Sequence, residues 1–150
     1  MSALAVLSRD IDASEVAAVP FRMARFVFWT GIYNAGLALV LVFPPLYRAL
    51  GLSICTPVWA WLIAGFLAYT SVALIYASRD LARRGALVYW ESLLRYFAAI
   101  VLVPAGLFGD IGFIAALLGL GDLAIGVAYM FGLPKELGVS HQALLFDRVG

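Results

Sequence analysis

Glu91, Arg95 and Asp122 lie in a stretch that is otherwise soluble in lipid, residues 90 to 122, WESLLRYFAAIVLVPAGLFGDIGFIAALLGLGD. Carboxylates and a guanidinium in such surroundings can pair with one another, hold the polar head of a ligand or exchange a proton. A charge near a bilayer centre costs roughly 2.5 to 3.5 kcal/mol on insertion scales, so each needs a partner, a water path or a route to the headgroups. Glu91 and Arg95 are four residues apart, which puts them on one face of a helix. Asp122 shares helical spacing with Ala115, Gly119, Gly126 and Tyr129, a strip of mostly small residues where a second helix can come close. Arg95 can then bridge Glu91 and Asp122, with Asn34, Thr30 or Tyr69 completing the hydrogen bonds that a low-dielectric site demands. These six residues form the candidate ligand-binding or buried polar network. Asp122 is the best single ligand candidate, because a carboxylate beside small residues leaves space for something to bind.

Groups of this kind need a membrane protein to position them. Hydrophobic residues make up 65% of the 150 positions and charged residues 13%, far from the balance of a soluble domain. That length holds about four spans of roughly 20 residues and little else, so residues 1–150 read as a single integral membrane domain. The expected fold class is an all-α membrane protein, a four-transmembrane-helix bundle. Its first span covers about residues 26–43, led by Arg22 and Arg25 and stopped by Pro44-Pro45. Residues 44–57 read as a loop. The second span, about 58–78, has Trp59, Trp61 and Tyr76 as interface anchors and Ala60, Ala64 and Ala68 as a packing stripe. Arg79, Asp80, Arg83 and Arg84 form a charged loop before the third span, about 86–107. Pro104, Gly106, Gly109 and Gly112 suit a tight hairpin into the fourth, about 111–133, which Pro134-Lys135 closes. Residues 1–25 read as a short interfacial segment, with Asp12 or Ser14 as a cap and a break at Pro20. The tail KELGVSHQALLFDRVG reads as a weakly amphipathic surface segment.

Arg9, Arg22, Arg25, Arg79, Arg83, Arg84, Lys135 and Arg148 fall on one side of this topology and Arg48 on the other, so the positive-inside rule places both termini in the cytoplasm. Depth can be counted from that side. Arg95 lies 10 residues past Gly85 and Asp122 lies 12 residues before Pro134, or about 15 and 18 Å in. Asn34 and the segment Tyr69 to Ser71 come out at about 12 to 15 Å, so all four spans bring polar groups to one level. Three readings of that level stand. It is a structural network that fixes helix order; or the third span begins nearer Tyr96, leaving Glu91 and Arg95 at the headgroups; or it is a ligand or proton site.

Other chemistry is scarce. The net charge of +1 gives no basis for nucleic-acid binding. One cysteine, Cys55, allows no intramolecular disulfide, and one histidine, His141, in the tail, allows no paired haem ligation inside the bundle. The sequence has no P-loop, HExxH or GxSxG element. No catalytic residue and no metal site are assigned, and the chain reads as non-enzymatic.

The Arg-led first helix RMARFVFWTGIYNAGLALVLVFPP and the Gly-rich last helix GLGDLAIGVAYMFGLP, within four spans of about 150 residues, resemble the DoxX-like group of small bacterial inner-membrane proteins. The resemblance implies a multi-pass protein of the cell inner (plasma) membrane, associated with membrane oxidoreductase or quinone-linked systems as an accessory subunit. Small multidrug transporters also have four spans, but their membrane glutamate belongs in the first helix, where this chain has only Asn34. The expected function is an accessory or assembly subunit of a larger membrane complex, or a small lipophile-binding protein. The alternative is a quinone-linked or proton-coupled protein, in transport or redox, that uses Arg95 and Asp122. A quinone or lipid is the candidate ligand. Membrane lipid, a larger membrane protein or a homo-oligomer are the candidate partners.

Overall fold

The computed structural model describes residues 22 to 148, and all regular structure among them is helical. The interfacial segment expected over residues 1–25, with its cap at Asp12 or Ser14 and its break at Pro20, lies outside the described residues except for Arg22 to Arg25, which are helical. The helices are α1 (Arg22–Val42), α2 (Pro44–Ala49), α3 (Pro57–Ser78), α4 (Leu81–Phe108), α5 (Phe113–Leu137) and α6 (His141–Leu145). Four of them, α1, α3, α4 and α5, are long and apolar enough to cross a membrane. Even the 21 residues of α1 extend about 32 Å, enough for a hydrocarbon core.

Local chemistry sets the helix ends, and it moves several of them from where hydropathy puts them. Phe43 is extended (φ −105°, ψ 106°), because the residue before a proline is kept out of the helical region. Pro44 and Pro45 then open α2, where a missing N–H has no intrahelical partner to lose. The segment expected as a loop therefore contains a helix. Thr56 and Pro57 repeat the device at the start of α3.

Helix α4 starts at Leu81, not near residue 86, because the Asp80 carboxylate accepts from the Arg83 N–H at 3.4 Å and caps it. The charged loop is thus largely the first turn of α4. Arg84 lies 3.7 Å over the Tyr76 ring and donates to the Tyr76 carbonyl, fastening the two-residue connection between α3 and α4. At the other end, α5 runs past Pro134 to Leu137. A proline so near a helix end loses one backbone hydrogen bond, and Gly138, at φ +67°, supplies the left-handed cap that ends the helix. The added turn carries Glu136, whose carboxylate accepts from the Met23 N–H at 3.0 and 3.2 Å. A negative group there satisfies and favours the N-terminus of α1.

Helix α1 packs along α3 and α4 along α5, and the two pairs join through lighter contacts of α3 with α4 and α1 with α5. Two apolar clusters hold the ends. Val27, Leu74, Ala77, Leu81, Val88, Tyr89, Tyr129, Leu133 and Leu144 form the one near Glu136, and Tyr47, Leu52, Ala60 and Ala115 the other. Large side chains such as Trp29, Phe66, Tyr69, Phe97, Ile100 and Phe131 point outward, as befits a lipid-facing surface. The expected stripe on α3 holds only in part, with Ala60 and Ala64 buried and Ala68 exposed. Steps of four residues drift by about 40° per step around a helix, so the buried line continues through Ser71, Leu74 and Ala77.

The tail helix α6 seats Leu144, fully buried, against Gly85, where an added Cβ would lie 3.2 Å from the leucine methyl. His141 is exposed, with its Nδ1 3.2 Å from the Tyr89 hydroxyl. In the opposite cluster Tyr47 is fully buried, and its hydroxyl is the one buried side-chain polar atom among the described residues that lacks a hydrogen-bond partner. An unpaired buried hydroxyl is destabilising by about 1 to 3 kcal/mol. Tyr47→Phe is therefore expected to unfold in detergent at the wild-type temperature or above it. A drop in thermal stability would show that the hydroxyl is satisfied.

Candidate functional site

Between the two apolar clusters the buried polar side chains collect in one layer: Thr30, Asn34, Ser71, Ser92 and Arg95. Small residues make the layer possible. An added Cβ at Gly31 would lie 2.8 Å from Ile75 Cγ1 and 3.2 Å from the Ser71 carbonyl oxygen, so only glycine lets α1 approach α3 here. At Gly126 it would lie 3.2 Å from the Ser92 carbonyl oxygen and 3.4 Å from Arg95 Cβ, which draws α5 against α4 at the level of the arginine. Gly106 and Ala116 touch in the same way nearer the hairpin.

Arg95 is the fifteenth residue of the 28 in α4, counting from Leu81, and its side chain is only 4% exposed. The helix itself is continuous from Leu81, so no helix begins near Tyr96, and Arg95 is buried among its neighbours. Arg95 Nε donates to Glu91 Oε2 at 2.8 Å, one turn earlier on α4. Nη1 donates to Asp122 Oδ1 on α5 at 2.5 Å and Nη2 to Asn34 Oδ1 on α1 at 3.1 Å. Asn34 Nδ2 donates in turn to Thr70 Oγ1 on α3 at 3.0 Å, and Thr70 donates to the Leu67 carbonyl at 3.1 Å. One chain of hydrogen bonds thus touches all four long helices.

A second link lies beside it. Thr30 donates to the Val27 carbonyl at 2.9 Å, so its oxygen accepts from the Tyr129 hydroxyl, joining α1 to α5. The Tyr129 ring centroid is 5.8 Å from Arg95 Cζ, within cation–π range.

Of the six residues singled out by sequence, Glu91, Arg95, Asp122 and Asn34 are in direct hydrogen-bonded contact. Thr30 belongs to the neighbouring link through Tyr129. Tyr69 does not take part: it is 72% exposed on the outer face of α3. Its expected role falls to Thr70, the next residue and about 100° further round the helix. The buried line through Ala64, Ser71 and Leu74 is the signal that orients Thr70 inward and Tyr69 outward.

The two carboxylates differ in access. The Glu91 side chain is 10% exposed and that of Asp122 is 22% exposed. Asp122 Oδ2 has no hydrogen-bond partner among the described residues and is not sealed from the surface. Among the described residues no group of three or more His, Cys, Asp or Glu side chains converges as metal ligands would. Two shallow surface grooves lie elsewhere, one bordered by Arg25, Trp29 and Ser78 and one by Trp61, Gly65, Phe66 and Tyr69.

Comparison with protein-family models, with curated proteins and with solved structures gives no match.

Breaking a buried ion pair by removing one partner costs about 3 to 5 kcal/mol. Arg95→Gln, which strands both carboxylates, is expected to lose that much stability in detergent, and Arg95→Gln combined with Asp122→Asn to lose less than the sum of the two. Thr70→Val is expected to cost about 0.6 kcal/mol, the average for a hydrogen bond between transmembrane helices, while Tyr69→Phe leaves the melting temperature unchanged.

Proposed function

We propose that this is a non-enzymatic integral membrane protein that binds a small lipophile, a quinone or a lipid, by its polar head at the Asp122 edge of the network. The supporting observation is the partial exposure of Asp122 in a cluster whose arginine is closed off. A carboxylate at that depth facing hydrocarbon alone would be costly, and a polar head delivered from the lipid phase relieves the cost. Arg95 fixes the orientation of Asp122 through Oδ1 and leaves Oδ2 open. The likeness of layout to the DoxX-like group fits a bacterial inner-membrane protein with such a role. The basic residues Arg22, Arg25, Arg79, Arg83, Arg84, Lys135 and Arg148 sit at one end of the bundle and Arg48 at the other, which supports cytoplasmic termini.

A second reading, an accessory subunit of a larger membrane complex, is favoured by the outward groove on α3. Trp61, Leu62, Phe66 and Tyr69 border an open trough at Gly65, where an added Cβ would meet nothing within 4 Å. Aromatic walls around a glycine accept a helix of a partner as readily as lipid chains.

Mass spectrometry of small molecules extracted from protein purified in mild detergent separates the two. Lipophile binding predicts a species in near-stoichiometric amount that is lost from Asp122→Asn and retained in Gly65→Leu. The accessory reading predicts a co-purifying membrane protein that is lost from Gly65→Leu.

A further inference from the structure

The basic end of the bundle carries a groove that the polar layer does not use. Ala24, Arg25, Phe28 and Trp29 of α1 and Ser78 of α3 border it. Arg25 and Trp29 are four residues apart and share a face of α1. Arg25 stands in the first turn and Trp29 about 6 Å further along the helix axis. Phe28 and Trp29 are exposed, and tryptophan is at home at the headgroup level of a bilayer. Ser78 adds little polarity, because its hydroxyl donates to the Ile75 carbonyl at 2.8 Å. The groove is thus a guanidinium at the helix end beside an aromatic wall that leads into the span.

The surrounding charge favours an anion there. Among the described residues of this end, seven basic side chains stand against three acidic ones, Asp80, Glu136 and Asp147. Asp80 is engaged with Arg83, through its backbone N–H and its guanidinium, and Glu136 with the Met23 N–H. Arg84 is committed to Tyr76. Arg25 is exposed and forms no ion pair with another described residue. Because Glu136 already occupies the N-terminus of α1, what the groove offers an anion is the Arg25 guanidinium and not the helix end.

We infer that this groove seats a phospholipid whose headgroup bears net negative charge, with its phosphate on the Arg25 guanidinium and an acyl chain against Phe28 and Trp29. A guanidinium presents parallel N–H donors that match two phosphate oxygens, and basic pockets between transmembrane helices suit anionic headgroups. The site is separate from the Asp122 layer and stands whether or not that layer binds a lipophile. Free phosphate would satisfy Arg25 and leave the aromatic wall without an apolar partner. The same holds for the acidic side chains of Asp10, Asp12 and Glu15, which lie outside the described residues. A phospholipid supplies both parts.

The test holds the tails constant and changes the head. Dioleoyl phosphatidylglycerol and dioleoyl phosphatidylcholine are titrated at neutral pH into the full chain in a nonionic detergent, and affinity is read from the concentration-dependent rise in melting temperature. Phosphatidylglycerol is expected to bind about fivefold tighter, which corresponds to about 1 kcal/mol for one arginine near a membrane surface. Arg25→Gln is expected to remove that preference and Arg83→Gln to keep it, both melting with the wild type when no lipid is added. Trp29→Ala is expected to weaken the two lipids alike. Should Arg25→Gln fail to fold, the wild-type preference together with the effect of Trp29→Ala still decides. Equal binding of the two lipids overturns the anionic head. A preference that survives Arg25→Gln and falls with Arg83→Gln overturns the groove in favour of diffuse surface charge. Glycerol phosphate alone stabilising as strongly as phosphatidylglycerol overturns the lipid. So does a preference that emerges only once Asp10, Asp12 and Glu15 are neutralised, which makes the N-terminal segment the occupant.

Discussion

A guanidinium inside a lipid-soluble bundle has to be satisfied by the protein, and that single demand explains most of how these helices are placed. Arg95 has donors fanning in fixed directions from a planar group. Its three nitrogens reach an acceptor on its own helix, one on α5 and one on α1. Because the fork is rigid, the positions of Glu91, Asp122 and Asn34 are not independent. Asn34 passes the constraint on to α3 through Thr70. The apolar clusters above and below exclude lipid and water, but apolar contact alone gives little register between helices whose surroundings are equally apolar. The polar layer supplies that register.

Close approach of the helices is the complementary requirement. Without glycine at positions 31 and 126, α1 and α3 or α4 and α5 would stand too far apart for side chains as short as Asn34 and Asp122 to complete their bonds. At Gly112 the requirement is conformational as well as spatial: φ is +97°, and the Gly51 carbonyl oxygen occupies the place an added Cβ would take. The Ser53 N–H donates to the Ile111 carbonyl beside it. The segment between α1 and α3 is thereby stitched to the hairpin between α4 and α5, and the end remote from Glu136 is closed.

Much of this was legible in the sequence, and the parts that were not share a cause. The four long apolar runs announce the spans, counting depth from the basic ends brings Arg95, Asp122 and Asn34 to one level, and the four-residue spacing puts Glu91 on the face of Arg95. Hydropathy could not show that α4 starts at Leu81 or that α5 continues to Leu137. Those ends depend on the Asp80 cap and on Glu136 reaching Met23 across the bundle, one a polar local effect and the other tertiary. Depth also says nothing about direction. Tyr69 and Thr70 lie at almost the same height, and only the azimuth of the buried line on α3 separates the inward threonine from the outward tyrosine.

The pairing of Glu91 with Arg95 one turn apart on the same helix bears on biogenesis. Because the pair forms within α4, that helix can enter the bilayer as a locally neutral unit before any neighbour arrives. Asp122 has no such companion on α5, whose other charges stand in its last turn. Its compensation comes only from a helix that precedes it in the chain. Synthesis from the N-terminus therefore delivers the guanidinium first and the carboxylate that bonds to it afterwards, so α5 arrives when the donor for Asp122 is already in place.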